Sequence, residues 1–277
     1  MIESFLRLLK RFAVFLPGLA VSYWVVQDLY PIINRRLPAA LAILVTYVIT
    51  AYGLIPAVIR GIQFIHKPKH VPFYSTTPDG FASDPVNIAV LGTREALVKA
   101  FAMMGWHVAD RQTPLTLLHL GLSMVLKLPY PNAPFSNLYL LGRSQDVGFQ
   151  LAVDDNPKHR HHVRFWTVKP ETAEHFKEHL AFWQAHHPDK NLLNDKFLWL
   201  GAASLDTGLG VIRHNAQLTH TIHHDTNAER ELIVSELKKT GLVKKTRTIK
   251  IAKPYQLRNR VITGYLQSDG HLTIIEL

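Results

Sequence analysis

The sequence predicts an α+β fold, with a mixed, largely antiparallel sheet and flanking helices, preceded by an N-terminal transmembrane helical hairpin. Two observations lead to this prediction. The first 70 of the 277 residues hold two long apolar runs, and the rest alternates amphipathic helices with short β-rich segments, several of them separated by turn residues. An apolar content of 47% with only 19% charged residues also excludes a disordered chain.

The clearest membrane signal is Leu37 to Ile59, a stretch of 23 residues without a charge. At about 1.5 Å per residue it makes a helix of about 34 Å, enough for a hydrocarbon core of about 30 Å. A second apolar run, Phe12 to Ile33, is interrupted only by Gln27 and Asp28, and the short Asn34-Arg35-Arg36 connection predicts a hairpin. A cleaved signal peptide is the disfavoured alternative, because no clear small-x-small site closes the first run.

The net charge of +10 is concentrated at the two ends of the chain. Residues 1–70 hold eight basic and two acidic residues, and residues 238–260 hold nine basic and no acidic ones. In the remainder, nineteen acidic residues outnumber fourteen basic ones. Because a nucleic-acid-binding domain usually carries its Lys and Arg on the folded face, we expect no nucleic-acid partner.

The Lys and Arg residues around the apolar runs predict the orientation of the hairpin. Six of them flank it and two lie in its connection, so the positive-inside rule places both termini in the cytoplasm. We expect a multi-pass protein of the bacterial inner membrane with a cytoplasmic soluble domain. The basic stretch from Lys238 to Arg260 either rests on the anionic leaflet or is a solvated strand face.

The predicted organisation has four parts. Residues 1–70 are the membrane unit, 71–83 a linker, 84–241 the α+β domain, and 242–277 a basic β-strand extension. Within the domain, Val86 to Leu91 is a β-rich run, after which Thr93 caps a helix to about Met104. Trp106 to Val108 predicts a short strand, and Leu115 to Leu126 a second helix.

The next segments continue this alternation. Leu138 to Leu141 and Val147 to Val153, joined by Gly142 to Asp146, predict a β-hairpin. His161 to Thr167 predicts a strand, and Pro170 opens a helix to about His186.

The last third of the chain is predicted to complete the sheet. Strands are expected at 197–200, 210–214, 218–222, 243–251, 261–266 and 271–275. Thr226 and Glu229 have the spacing of a capping box for a helix that ends at Gly241. Ser268-Asp269-Gly270 has the composition of a final hairpin turn.

Missing motifs narrow the possible chemistry. The sequence holds no dinucleotide-binding glycine motif, phosphate-binding loop, Gly-x-Ser-x-Gly or His-Glu-x-x-His. The absence of cysteine excludes disulfides, thiolate catalysis and iron–sulfur clusters, so a metal would need His, Asp or Glu ligands. Sixteen histidines are present, many of them in three clusters.

The first cluster lies on the strand at 159–166. Side chains alternate along a strand, so His162, Arg164 and Trp166 share one face, and the odd-numbered residues from His161 share the other. Adjacent His and Arg side chains suit an anion, because the planar guanidinium group matches phosphate or carboxylate. The alternative is an ion pair with an acid on a neighbouring strand. We expect Val163 and the rest of the odd-numbered face to pack on helices.

The second cluster contains His220, His224 and Asp225 and precedes the helix that carries Glu229. Imidazoles near a carboxylate suit zinc, iron or manganese, and structural histidines with a capping aspartate are the alternative. If the strands with His162 and His220 are neighbours, these side chains converge. Asp225 and Glu229 are then expected to border the same patch.

The third cluster, at residues 175, 179 and 186, falls on the helix that begins at Pro170. Its first two histidines have i, i+4 spacing, which can chelate a metal. A solvated helix face is favoured, because two glutamates lie beside them.

The ordered motifs of the domain resemble a known family. They are Asp84 to Leu97, Gly105-Trp106, Ala133 to Leu140, Gly142 to Asp146, His161 to Trp166, Trp199 to Asp206, Thr219-His220 and Asp225 to Arg230. Together they resemble the LssY C-terminal domain family over about residues 84–241. The resemblance implies a domain often attached to membrane segments and a context of lipid or envelope metabolism, with no established reaction.

The favoured interpretation is a membrane-tethered cytoplasmic domain that binds an anionic ligand, such as a lipid headgroup or a phosphorylated envelope intermediate. The ligand-binding candidates are Arg143, His162, Arg164, His220 and Asp225.

Two alternatives stay open. One is a phosphoester hydrolase in which His162 and His220 act as acid and base or, with His224, bind a divalent metal, while Asp206 or Glu229 supplies the carboxylate. The other is a scaffold that holds protein partners at the membrane without catalysis.

Overall fold

The computed structural model describes residues 18–65, 72–153, 158–168, 197–211, 218–259 and 264–277. The chain divides into two compact units, Met1–Ile59 and Arg60–Leu277. The predicted helix at 170–186, with its three histidines, lies outside the described residues. The same holds for residues 12–17 of the first apolar run.

Two helices joined by a tight turn form the described part of the N-terminal unit. Helix α1 spans residues 18–34, and helix α2 spans residues 39–65. Each helix contains one π-helical turn, Val25–Leu29 in α1 and Thr50–Leu54 in α2.

The segment Ala39–Ile59 of α2 is the one helix of the described residues that is long and apolar enough to cross a membrane. Only 22% of its most apolar 18-residue stretch is buried, whereas the core helix of a soluble domain is mostly buried. One membrane-length helix is therefore present. The described part of α1 begins at residue 18, so the second crossing of the hairpin stays a prediction.

The described part of the second unit contains fourteen strands. They are β1 (Tyr74–Thr76), β2 (Ala82–Pro85), β3 (Ile88–Gly92), β4 (His107–Val108), β5 (Tyr139–Leu140), β6 (Arg143–Ser144), β7 (Val147–Ala152), β8 (His159–Val168), β9 (Phe197–Val211), β10 (Leu218–Ile222), β11 (Lys245–Lys250), β12 (Tyr255–Asn259), β13 (Gly264–Ser268) and β14 (His271–Glu276).

Three helices accompany these strands within the described residues. They are α3 (Arg94–Met103), α4 (Pro114–Leu126) and α5 (Thr226–Lys239). As predicted, Thr93 caps α3, where its hydroxyl accepts a hydrogen bond from the amide of Ala96.

The cap of α5 differs from the prediction. The carboxylate of Asp225 accepts hydrogen bonds from the amides of Asn227 and Ala228, so the N-cap is Asp225. The capping box predicted at Thr226 is wrong, because the Thr226 hydroxyl donates to the carbonyl of Gln267 instead.

Eight strands form the central sheet. Seven follow the order β11-β14-β3-β9-β8-β7-β4, and β10 pairs with β9 outside this order. The β14–β3 pair is parallel, and all other pairs in the sheet are antiparallel. The sheet is therefore mixed and largely antiparallel, as predicted. The strands β2-β1-β5-β6 form a second sheet, and β12 pairs with β13.

Strand β9 carries two successive neighbours along one edge. Its first residues pair with β3 and its last residues with β10, while β8 occupies the other edge. In the gap, the side chain of Asn87 accepts from the Ala203 amide and donates to the Ala203 carbonyl. Asn87 thereby replaces a missing strand partner and satisfies the buried backbone of β9.

The central sheet is covered on both faces. On one face, Val163 and Phe165 pack with side chains of α3 and α5, including Phe101 and Leu237. This confirms the predicted packing of the odd-numbered face of β8. On the other face, Trp166 packs with Leu140, which lies on β5 of the second sheet, and with Leu138, which precedes β5. Both faces of β8 are buried as a result.

Two predicted hairpins are wrong. Residues 138–141 do not pair with residues 147–153: β5 pairs with β6, and β7 joins the central sheet. The reason is a tight turn at Leu141 and Gly142, which have positive φ angles of 55° and 77°. This two-residue turn joins β5 directly to β6 and leaves β7 outside the hairpin. Near the C-terminus, the turn after Ser268 leads from β13 into another sheet instead of closing a hairpin.

The C-terminal residues are part of the central sheet. The sequence predicted residues 242–277 as an extension of the domain. In the structure they supply β11 and β14, and β14 lies between β11 and β3. The basic residues Lys245, Arg247 and Lys250 lie on β11, at the edge of the sheet, with exposed side chains.

Candidate functional site

A buried group of polar side chains spans strands of both sheets. We call it the polar cluster; its members are Asp84, Gln150, Arg160, His162, Arg164, Ser204, Asp206 and His220. Strand β8 contributes three members at alternating positions, so they project from the same face of the sheet. On β9, Ser204 lies opposite His162, and Asp206 lies opposite Arg160.

Two arginine–aspartate pairs neutralise the charges in this cluster. The Nη1 of Arg164 lies 2.8 Å from the Oδ2 of Asp84, and the Nε of Arg160 lies 3.0 Å from the Oδ2 of Asp206. All four side chains are buried. Burial of a charge is tolerated in proteins when an opposite charge and hydrogen bonds compensate it.

The two carboxyl groups are held in the ionised form. Burial by itself would raise the pKa of Asp84, but its contact with His162 and the charge of Arg164 outweigh burial and lower the pKa. For Asp206, burial is likewise outweighed by the nearby His162, His220 and Arg160, so its pKa is also lowered.

His162 lies between the two aspartates. Its Nε2 is 3.1 Å from the Ser204 hydroxyl and 3.5 Å from the Oδ2 of Asp84, and its Nδ1 is 3.5 Å from the Oδ1 of Asp206. The imidazole is 1% exposed. It therefore joins the two ion pairs into one continuous network.

His220 enters the cluster from β10. Its Nδ1 lies 3.6 Å from the Oδ2 of Asp206, and its Nε2 lies 3.4 Å from the Nη2 of Arg160. Burial lowers the pKa of His220 to about 4, and attraction to Asp206 only partly opposes this. The imidazole is therefore neutral near pH 7.

Three nitrogen atoms of the cluster have no hydrogen-bond partner within the described part of the chain. They are the Nδ1 of His162, the Nε of Arg164 and the Nδ1 of His220. Both Nδ1 atoms lie beyond about 3.2 Å, the usual limit for such a bond, from the Asp206 carboxylate. Buried donors are nearly always satisfied in folded proteins, so these atoms mark a place where an acceptor would be stabilised.

Phe135 covers the arginines of the cluster. The centroid of its ring lies 4.4 Å from the Cζ of Arg164 and 5.5 Å from the Cζ of Arg160, distances typical of cation–π contacts. Gly148, opposite Arg164 on β7, makes room for the ring. A Cβ atom at Gly148 would lie only 2.2 Å from the Cζ of Phe135.

Glu229 lies on the other face of the sheet. Its Oε2 is 2.8 Å from the Nδ1 of His161, which points away from His162 because side chains alternate along β8. The expectation that Glu229 borders the patch with His162 and His220 is wrong.

Three further candidates make local contacts outside the cluster. Asp225 caps α5, His224 is exposed and its ring lies beside that of His223, and Arg143 bonds to Asp146 and Thr167. The capping bonds of Asp225 do not involve the polar cluster, and its place at the border of the patch stays a prediction. Within the described residues, no group of three or more His, Asp or Glu side chains is arranged to hold a metal ion.

Of the predicted site residues, the structure brings together His162, Arg164, His220 and Asp206. Sequence reasoning missed Asp84, Gln150, Arg160 and Ser204. Arg160 could have been found, because the alternation that grouped His162 with Arg164 also includes residue 160. Asp84 opens the first motif of the family resemblance, but no local pattern indicated its contact with Arg164, which spans 80 positions.

A sequence profile described as LssY C-terminus matches residues 68–272, which is most of the chain. The chain belongs to the LssY C-terminus family. No curated protein and no solved structure matches it. The match covers every member of the polar cluster of this LssY C-terminal domain, as well as β11 and the start of β14. The family match thus extends beyond residue 241, the predicted end of the domain.

Proposed function

We propose that this LssY C-terminal domain binds an anionic ligand in the polar cluster, on the cytoplasmic side of the inner membrane to which the N-terminal helices tether it. The proposed ligand carries a phosphate group, as a lipid headgroup or a phosphorylated envelope intermediate does. The observation that carries the proposal is that three buried nitrogen atoms, on His162, Arg164 and His220, have no hydrogen-bond partner within the described residues.

The balance of donors and acceptors supports an oxygen-rich anion. Each guanidinium group offers five N–H donors, and the imidazoles, the Ser204 hydroxyl and the Gln150 amide add more. The charged acceptors are the carboxylates of Asp84 and Asp206. Arg164 contacts its aspartate through Nη1 alone, so most of its donors point elsewhere. Phosphate oxygens are suitable acceptors for such groups.

The arginine and aspartate charges of the cluster balance each other. Two guanidinium groups and two carboxylates cancel, and the imidazole of His220 is neutral near pH 7. A phosphate monoester would add negative charge to the cluster, and hydrogen bonds to its oxygens would stabilise that charge.

The test uses the full chain in lipid nanodiscs and two probes, inorganic phosphate and glycerol 3-phosphate, measured by titration calorimetry. Loss of one charge-assisted hydrogen bond costs about 1.5–3 kcal/mol, so the His162→Gln variant should bind at least about tenfold more weakly. His161→Gln is the matched control, because it changes the next residue on the opposite face. Equal affinity of the two variants, or no binding of either probe to the wild type, would contradict the proposal.

A second candidate is a phosphoester hydrolase that uses His162 as acid and base. The observation in its favour is the position of this imidazole between the Ser204 hydroxyl and the Asp206 carboxylate, 3.1 Å and 3.5 Å away. His162 would accept a proton from the attacking water and donate one to the leaving alcohol. An ester and water would then give an alcohol and phosphate.

Release of inorganic phosphate from glycerol 3-phosphate separates the two candidates. Hydrolysis by the wild type that His162→Gln abolishes and His161→Gln preserves would favour the hydrolase. Binding without turnover would favour the binding domain. If neither binding nor turnover occurs, only the scaffold interpretation is left.

A further inference from the structure

Helix α4 exposes its apolar side chains to a degree unusual for a folded domain. Leu115, Leu118, Val125 and Leu126 are 75%, 61%, 78% and 60% exposed, and Leu122 is half-exposed. In a soluble domain, an amphipathic helix normally turns such residues toward the core. Exposed apolar patches of this kind mark interaction surfaces.

The exposed residues form one continuous face of α4. The face consists of Leu115, Leu117, Leu118, Gly121, Leu122, Val125 and Leu126. At about 100° per residue, these positions cover about half of the helix circumference. No polar residue interrupts this face. The buried residues, Leu120 and Ser123, lie on the opposite side. The helix therefore directs its most apolar side outward.

The length of α4 limits what this face can contact. Thirteen residues make a helix of about 20 Å, shorter than the hydrocarbon core of about 30 Å. It is too short to cross a bilayer but suited to lie along one. The same chain carries a membrane-length helix, Ala39–Ile59, which would keep the domain close to lipid.

The charges at the ends of α4 complement a lipid surface. Arg111 precedes the helix and Lys127 follows it, both are exposed, and no acidic residue lies between them. Cations at the border of an apolar helix face reach the phosphate groups of anionic lipids while the apolar residues enter the acyl-chain boundary. The acidic residue next to Arg111 is Asp110, whose carboxylate already accepts a hydrogen bond from the Tyr130 hydroxyl.

We propose that α4 is an interfacial membrane helix that lies parallel to the bilayer, with its apolar face about 5–10 Å into the headgroup and acyl-chain boundary. The strand order separates this surface from the basic strand β11. Strand β4, which leads into α4, lies at one edge of the central sheet, and β11 lies at the other. Of the two, α4 contacts the lipid.

The absence of cysteine allows a direct test in the full chain. Single-cysteine variants Leu118→Cys and Val125→Cys are labelled with an environment-sensitive fluorophore and reconstituted in vesicles of phosphatidylcholine and phosphatidylglycerol. We expect blue-shifted emission and quenching by nitroxide lipids, stronger for a nitroxide near the headgroup than for one near the bilayer centre. Ser235→Cys, at an exposed position of α5, should show neither effect.

Further variants separate lipid from other occupants. Leu122→Glu in the Val125→Cys background should lose the blue shift and the quenching, because the new charge lies on the apolar face. A label at Arg247→Cys reports contact of β11. Quenching of the Arg247 label without quenching of the α4 labels would overturn the proposal. Shielded α4 labels that nitroxide lipids do not quench, or that exchange energy between copies, would also overturn it.

Discussion

Arg160 and Asp206 lie directly opposite each other on β8 and β9, with the Nε of Arg160 3.0 Å from the Oδ2 of Asp206. The side chains are 1% and 3% exposed. Arg160 also donates to the side chain of Gln150 and the carbonyl of Ala133, and so links β7, β8, β9 and the segment before β5. This pair belongs both to the candidate site and to the structural core.

We expect Asp206→Asn to destabilise the domain. The amide keeps the shape of the carboxylate but leaves the buried guanidinium of Arg160 without its counter-charge, which typically costs about 3–5 kcal/mol. Urea denaturation of the full chain in detergent micelles, followed by tryptophan fluorescence, measures the loss. Glu95→Gln, at an exposed position in the first turn of α3, is the control and should cost less than about 1 kcal/mol. A loss of similar size in both variants would show that the pair contributes little.

We expect the free energy of unfolding to decrease as the pH is lowered through a range set by His220. Its pKa is 6.5 in the unfolded chain and about 4 in the folded domain, because burial disfavours the imidazolium. Between these values the unfolded chain binds a proton that the folded chain does not. The free energy of unfolding therefore decreases as pH falls from about 6.5 to 4, by up to about 3 kcal/mol from this residue.

The lowered pKa values of Asp84 and Asp206 act in a different window. These carboxylates lose their stabilising contribution only as the pH falls below about 4, which is the pKa of an aspartate in the unfolded chain. The measurement is therefore urea denaturation at pH 7 and pH 4.5 for the wild type and His220→Gln. The variant should lose less stability between the two pH values. An unchanged pH dependence would mean that His220 titrates in the folded domain as it does in the unfolded chain.

We expect Gly148→Ala to disturb the packing of Phe135 over the arginines. The added Cβ atom would lie 2.2 Å from the ring, so the ring must move, at a cost of about 1–3 kcal/mol. Phe135→Leu in the same chain should relieve part of this cost, which a double-mutant cycle measures.

Gly121→Ala is the matched control for this prediction. A Cβ atom at Gly121 meets nothing within 4 Å, and alanine in a helix interior is favoured over glycine by about 0.5–1 kcal/mol. The same substitution should therefore stabilise the chain at Gly121 and destabilise it at Gly148. Equal effects at both positions would contradict the proposed contact with Phe135.

The topology of the N-terminal unit can be tested with reporters fused before Phe12 and after Leu277. If both apolar runs cross the membrane, both reporters should be cytoplasmic, as the positive-inside rule predicts. Opposite locations of the two reporters would show that Ala39–Ile59 crosses alone. A periplasmic C-terminal reporter would also contradict the proposed cytoplasmic location of the polar cluster.

Several features of this protein were determined by short stretches of sequence. The cap at Thr93, the membrane-length apolar helix and the two faces of β8 all follow from residues within a few positions of each other. Hydrogen bonding at a helix end and the alternation of side chains are local properties. The mixed, largely antiparallel sheet also follows, because the order of strands, helices and short turns limits the possible architectures.

Strand pairing was decided by the tertiary structure. The sequence places β7 beside β5, but the positive φ angles of Leu141 and Gly142 close a shorter hairpin and release β7 to the central sheet. Likewise β14 enters between β11 and β3, where side chains on both of its faces join the core. Competing pairings can have similar local patterns and differ in the apolar surface they bury together.

The polar cluster also depended on the tertiary structure. Alternation on β8 placed His162 and Arg164 on one face, but their partners Asp84 and Ser204 lie 80 and 42 positions from Arg164 and His162. A charged residue can be buried only where an opposite charge reaches it, and which aspartate does so depends on the register of distant strands. The chemistry of the side chains was present in the sequence, whereas their convergence required the folded sheet.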